Sequence, residues 1–189
     1  MMEYLEGVKK AKTLEIGELL VQAEGTEVKV NGAVHTIRDM GNVAFVILRK
    51  RDGLVQCVFE EGVTAFDLKE LKEASAVEVL GTIRKEERAA HGIEIRLKEI
   101  KVLSEPDEPL PLPISKWKLN TSLEAKLNMR PISLRNVRER AKFKIQEGLV
   151  RSFRDFLYEQ GFTEIHTPKL GAKSAEGGAN LFKLEYFHR

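Results

Sequence analysis

At 189 residues the chain exceeds one ordinary domain of roughly 150 residues without reaching two large ones, which excludes a large multidomain machine. With 42% hydrophobic and 32% charged residues it has the composition of a folded globular chain, and 31 Lys and Arg against 29 Asp and Glu leave a formal charge of +2, so any basic surface is local. The single cysteine, Cys57, excludes an internal disulfide and a cysteine-clustered metal site, and no apolar run approaches the ~20 residues of a membrane span. One unpaired cysteine fits a reducing, cytoplasmic compartment, and the first twenty residues hold no apolar signal core.

Residues 1–26 read as a polar lead-in with one brief helix through Leu14, Ile16, Leu19, Leu20 and Val21, packed on the unit that follows. From Glu27 the period changes to two. Val28, Val30, Ala33 and Val34 alternate imperfectly, Asp39-Met40-Gly41-Asn42 supplies a turn, and Ala44 to Leu48 is a run of strand formers. Arg51-Asp52-Gly53 predicts a tight hairpin with positive backbone angles, leading to a third strand over Leu54–Phe59. Thr64 and Asp67 resemble a capping box opening a short helix through Leu68, Leu71 and Ala74. Ala76–Leu80 and Ile93–Leu97 predict the fourth and fifth strands, with Ile100–Leu103 prolonging the last. Five strands with a small helix between the third and fourth is the order of an all-β OB-fold barrel.

Residues 104–114 hold four of the six prolines and predict a semi-rigid spacer, because proline fixes its own φ and pushes its predecessor to extended forms. Beyond it, Asn136 with Glu139 predicts an N-cap. Val137, Ala141, Ile145, Leu149, Phe153, Phe156 and Leu157 then follow at helical spacing as far as Gly161. Phe162–Pro168 reads as a strand, followed by a glycine-rich loop over Gly171–Asn180 and a further strand-like run from Leu181. The expected organisation is residues 1–103 as helix and barrel, 104–119 as linker, and 120–189 as the start of an α+β domain with an antiparallel sheet.

An OB barrel commonly binds single-stranded nucleic acid across its second and third strands, with aromatic rings as stacking platforms. Phe45 and Gln56 fall on those strands, flanked by Arg38, Arg49, Lys50 and Arg51. Two readings stand open there: ring and amide facing one unstacked base, or a core phenylalanine beside a solvated glutamine. Residues 126–154 carry nine cations against two acids, Glu139 and Glu147, a face that meets phosphates or is simply solvated. The loop around Lys173 and Glu176 lacks the spacing of a phosphate loop; it connects strands or carries Glu176 over a ligand. His35, His91, His166 and His188 lack metal-ligand spacing, so no metal site and no catalytic set is expected.

Three segments together resemble one family. Lys29–Val34 through Arg38-Asp39-Met40-Gly41, Ala44–Arg49 and Leu54-Val55-Gln56 are similar to the anticodon-binding OB domain of class IIb aminoacyl-tRNA synthetases. Gly161-Phe162-Thr163-Glu164-Ile165-His166-Thr167-Pro168-Lys169-Leu170 resembles motif 1 of class II synthetases. Ser174–Phe182 with Tyr186-Phe187 resembles the stretch after motif 1 in archaeal-type aspartyl and asparaginyl enzymes. The aspartyl enzymes are the nearest likeness, with the present residues as an N-terminal portion.

The resemblance implies that Phe45 stacks on an anticodon base, Gln56 reads the central U, and Arg38 contacts the anticodon loop. It implies that Glu176, with Ser174 beside it, holds the ammonium group of the amino acid, and that Pro168 lies at a homodimer interface. It implies tRNA as partner and ATP-dependent attachment of aspartate to tRNA, with Mg²⁺, by the whole enzyme. The arginine-bearing motifs 2 and 3 are not in these residues, so this portion is expected to bind and not to catalyse. Ser133 stands at a position usually acidic in the family. Ala74 stands where archaeal relatives often carry a glutamate, with Glu73 one residue off, which points to an enzyme serving both tRNA(Asp) and tRNA(Asn). An asparaginyl enzyme and a stand-alone OB RNA-binding protein are the alternatives.

Overall fold

The structure is a computed structural model and describes residues 13–167. Five strands, β1 (Glu27–Asp39), β2 (Val43–Arg49), β3 (Leu54–Glu60), β4 (Ala76–Lys85) and β5 (Ile93–Ser104), close into a barrel in the order β1-β2-β3-β5-β4. All neighbours are antiparallel except β3 and β5, which run parallel over Gln56–Val58 and Glu94–Arg96. This is the OB-fold barrel that the strand order predicts.

Alternation decides which side chains fill the barrel. Val28, Val30, Val46, Leu48, Val55, Cys57, Val77, Val79, Ile83, Ile95 and Leu97 all point inward and are almost fully buried. Each large one stabilises the fold by ~1.5–3 kcal/mol relative to exposure. Burial pushes the Cys57 thiol far above its ordinary range, so it is packed as a small apolar group. The imperfect alternation of β1 has a cause. Its first half pairs with β4 and its second half with β2, and a bulge between Val34 and Thr36 bends it from one partner to the other. The extra residue lets neighbours Val34 and His35 both be buried.

The β1–β2 turn forms as its sequence predicts: Asp39 Oδ1 accepts from the Gly41 amide at 2.8 Å, and Gly41 takes φ +93°. The β2–β3 turn does not. Lys50 N donates to Gly53 O at 2.8 Å, which puts Arg51 and Asp52 at the centre, and none of these residues has positive φ. Gly53 is small for another reason: a Cβ there would lie 3.0 Å from Ile16 Cδ1. Ile16 belongs to α1 (Ile16–Leu20), whose Leu19 completes the core. Asp52 Oδ2 accepts from Ile16 N at 2.9 Å, and Thr13 Oγ1 accepts from Asn31 N at 3.1 Å. The lead-in is thereby fastened to the barrel.

Thr64 and Asp67 do not form a capping box. Thr64 is buried; its Oγ1 accepts from Glu60 N and donates to Leu97 O, tying β3 to β5. Asp67 alone caps a single 3₁₀ turn, Leu68–Glu70. Six residues between Asp67 and the bend at Ala74 are too few for a longer helix that must also return to β4, and Ala74 turns the chain at φ 71°.

After the barrel, Leu112, Ile114 and Leu119 are buried, so the proline-rich stretch is anchored at its far end. Two helices that the pattern does not reveal follow, α2 (Leu123–Asn128) and α3 (Arg130–Ser133), joined by Ser133 Oγ donating to Lys126 O at 2.8 Å. Asn136 caps α4 (Val137–Glu159): its Oδ1 accepts from Arg138 N and Glu139 N, both at 3.1 Å. Its Nδ2 donates to Ile114 O at 2.8 Å and Lys116 O at 2.7 Å. Glu139 does not complete a capping box; it binds Lys126 and Lys142, which hold its carboxyl below the usual range.

Two units divide within α4 between Phe143 and Lys144. In the second, Ile145, Leu149, Phe153 and Phe156 are exposed along the helix. Residues 162–167 are not a strand. A strand needs a partner to take its backbone groups, and here Glu164 instead accepts from Arg154 Nε at 3.0 Å and Tyr158 Oη at 2.9 Å, folding the segment back on its own helix. No helix among the described residues is long and apolar enough to cross a membrane.

Candidate nucleic-acid interface

The outer face of β1, β2 and β3 gathers the barrel residues that the sequence singles out. Arg38 is opposite Phe45 in the β1–β2 register, and Gln56 is opposite Ile47 in the β2–β3 register. Phe45 alternates with the buried Ala44 and Val46 and is itself only half-buried, so it is not a core residue. Its ring stands on the surface side of the sheet beside an exposed guanidinium. That is the arrangement of a stacking platform with a cation next to it.

Gln56 is held by a residue that sequence reasoning missed. The parallel β3–β5 pairing sets it beside Glu94, and its Nε2 donates to Glu94 Oε2 at 3.1 Å. Glu94 is only 4% exposed although it lies between Ile93 and Ile95, and its other oxygen is 3.7 Å from Arg84 Nη1. With one N–H given to Glu94, Gln56 retains its carbonyl oxygen and a second N–H for an incoming group. Such an acceptor and donor side by side match the N3–H and neighbouring carbonyl of a uracil. A carboxylate between the apolar Ile93 and Ile95 was the available signal for Glu94, but its role depends on barrel closure across 38 residues of sequence.

A cavity of about 340 Å³ lies over another part of the barrel, lined by Lys29, Glu78, Glu99 and Lys101 among others. Its charges balance and Lys29 is paired with Glu78 at 3.0 Å, so it has no net attraction for a phosphate backbone. Among the described residues no group of three or more His, Cys, Asp or Glu could hold a metal ion. Pro168, Ser174 and Glu176 lie outside the described residues.

Comparison with known proteins places both parts of the chain. Residues 28–103 match the OB-fold nucleic acid binding domain of the tRNA anticodon type, and residues 122–188 match the class II tRNA synthetases (D, K and N). An aspartate–tRNA(Asp/Asn) ligase of Saccharolobus solfataricus is 38% identical over 177 residues, covering 93% of this chain and 41% of the relative. One from Deinococcus radiodurans is 42% identical over 168 residues, covering 89% and 37%. The crystal structure of asparaginyl-tRNA synthetase from Pyrococcus horikoshii, complexed with asparaginyl-adenylate, superposes with a TM-score of 0.77 at 29% identity, covering 93% of this chain and 41% of that one. The chain thus spans about two fifths of the length of these relatives. An anticodon-type barrel followed by a class II segment, in one chain and in this order, makes it a member of the class II aminoacyl-tRNA synthetases of the D, K and N group.

Proposed function

We propose that the outer face of the barrel binds the anticodon loop of a tRNA, and that the whole protein attaches aspartate to tRNA with ATP and Mg²⁺. The observation that carries this reading is the set Arg38, Phe45 and Gln56 on one face, with Gln56 oriented by Glu94. Phe45 takes the face of an unstacked base, Gln56 takes the edge of the central uracil, and Arg38 neutralises the adjoining backbone. Glu94 is a positioning residue, fixing which way the Gln56 amide points. In the organisation proposed, residues 1–103 form the anticodon-binding part, 104–119 the linker, and 120–189 the start of the catalytic domain.

No step of the chemistry is assigned to the described residues. ATP and Mg²⁺ belong to the activity of the whole protein, with Glu176 and Ser174 proposed to receive the ammonium group of the amino acid. A homodimer including Pro168 in its interface, and a cytoplasmic location, complete the proposal. Relatives named for both tRNA(Asp) and tRNA(Asn) support a nondiscriminating range. Asparagine is the second reading for the amino acid, favoured by the likeness to an asparaginyl enzyme.

Phe45→Ala is expected to lose ~1–3 kcal/mol of anticodon affinity, about 5- to 150-fold in Kd. An unchanged Kd for a stem-loop at fixed salt overturns the stacking role. Gln56→Ala should flatten the preference for uracil at the central position, compared across stem-loops that differ only there. Charging by the whole protein should favour aspartate; binding of stem-loops without any charging favours a stand-alone RNA-binding protein.

A further inference from the structure

Arg49 lies on the same outer face as Phe45, four residues along β2 and hence roughly 13 Å away. It is half-buried, and its Nη1 is fully enclosed without any hydrogen-bond partner. The residues that crowd it are cationic. Arg140, on the first turn of α4, donates from Nη1 to Arg51 O at 3.1 Å, which brings that turn over the end of β2. Burial, and after it like-charge repulsion from Arg135 and Arg140, lower the Arg49 pKa.

The acids that could neutralise this cluster are engaged elsewhere. Glu139, the acid of the same helical turn, is bound to Lys126 and Lys142, and Asp52 caps α1. Among the described residues no carboxylate is within ion-pair distance of Arg49, Arg135 or Arg140. Like charges gathered around a half-buried guanidinium repel one another until an anion joins them. Guanidinium groups also present planar donor pairs suited to phosphate oxygens, which a lysine cluster would not.

We infer that Arg49, Arg135 and Arg140 form a phosphate-binding site at the junction of β2 and α4, separate from the base-stacking surface around Phe45. The phosphate comes either from the backbone of the bound RNA or from a free phosphate species. The RNA arm rests on the anticodon-binding reading; the free-phosphate arm does not.

The test uses the full 189-residue chain and the variants Arg49→Gln, Arg135→Gln and Phe45→Ala. Arg135 is exposed and its side chain makes no hydrogen bond or ion pair within the described residues, so Arg135→Gln reports on the site even if Arg49→Gln fails to fold. If the phosphate is that of the RNA, the slope of log Kd against log salt for a whole tRNA transcript falls by ~0.7–0.9 in each arginine variant. Phe45→Ala weakens binding with little change in that slope. If the phosphate is free, inorganic phosphate at constant ionic strength raises the Tm of the wild type and of Phe45→Ala, and not that of Arg135→Gln. A wild type that binds no tRNA yet shows this phosphate-dependent Tm supports the site and defeats the anticodon reading. An unchanged salt slope together with a Tm indifferent to phosphate overturns the site, while binding sensitive to Phe45→Ala leaves the anticodon reading standing.

Discussion

Gly81→Ala tests how tightly the barrel is closed. Gly81 lies on β4 at the register shift opposite β5, where Leu80 pairs with Glu99 and Gly81 with Leu97. A Cβ built there collides with the carbonyl oxygen of Arg96, lies 2.7 Å from Ile95 Cγ2 and 3.0 Å from the Arg96 carbonyl carbon. Two of these three atoms are backbone, so no rotamer change relieves the clash; β5 must move away from β4. But β5 is also paired with β3, and a shift there strains the parallel ladder as well. Overpacking that side chains can absorb costs ~1–3 kcal/mol, and a clash against backbone belongs at or above the upper end. We therefore expect a loss of ~3 kcal/mol or more, about 6–12 °C in Tm for a chain of this size. Gly148→Ala is the control, because Gly148 is inside α4 with nothing within 4 Å of the added carbon. It should gain up to ~1 kcal/mol from helix propensity. Urea unfolding followed by circular dichroism measures both through the midpoint at constant m-value. A Gly81→Ala protein within ~1 kcal/mol of wild type would refute the reasoning, since the barrel would then have room that its backbone does not show.

Ala74→Gly should stabilise by ~0.5–1 kcal/mol in the same assay: relief of the left-handed φ of 71° is worth ~1–2 kcal/mol, against ~0.5–1 kcal/mol of added chain entropy in the unfolded state. Asn136→Ala should cost ~2–4 kcal/mol, losing a helix cap and leaving the carbonyls of Ile114 and Lys116 without their donor; a Tm within a degree or two of wild type contradicts that account. Burial and the Arg49 charge lower the pKa of His35, so below its ordinary value of 6.5 the unfolded chain takes up a proton that the folded chain resists. Stability present above pH 6.5 is thus lost as the pH falls, and His35→Gln should remove that part of the decline in a series of unfolding curves across this range.

The strands were legible because alternation and burial are local: Val28 and Val30, or Val77 and Val79, announce an inward face wherever the barrel later closes. Phe45 and Gln56 could be assigned to strands on the same ground. What local pattern cannot carry is pairing between distant strands. Glu94 enters the site only because β5 runs parallel to β3, and in sequence it is a single acid between two isoleucines. The Asp52-Gly53 turn misled for a related reason. Its glycine answers the need of Ile16 for space, a neighbour 37 positions earlier, rather than the turn's own angles. The strand expected over residues 162–168 has the right composition, yet Glu164 finds its partners on α4.

The four hydrogen bonds of Asn136 also bear on how the molecule can bend. They join Ile114, Lys116 and the first turn of α4 at one side chain, so these parts move as a piece. The bond from that turn to the β2–β3 hairpin is a single exposed one, Arg140 to Arg51, and the arginines around it repel. The stiff joint is therefore at Asn136 and the soft one at Arg140. A swing of that first turn away from the β2–β3 hairpin would carry the end of the linker with it and take up its rotation in residues 105–111, where Pro106, Pro109 and Pro111 limit the directions available.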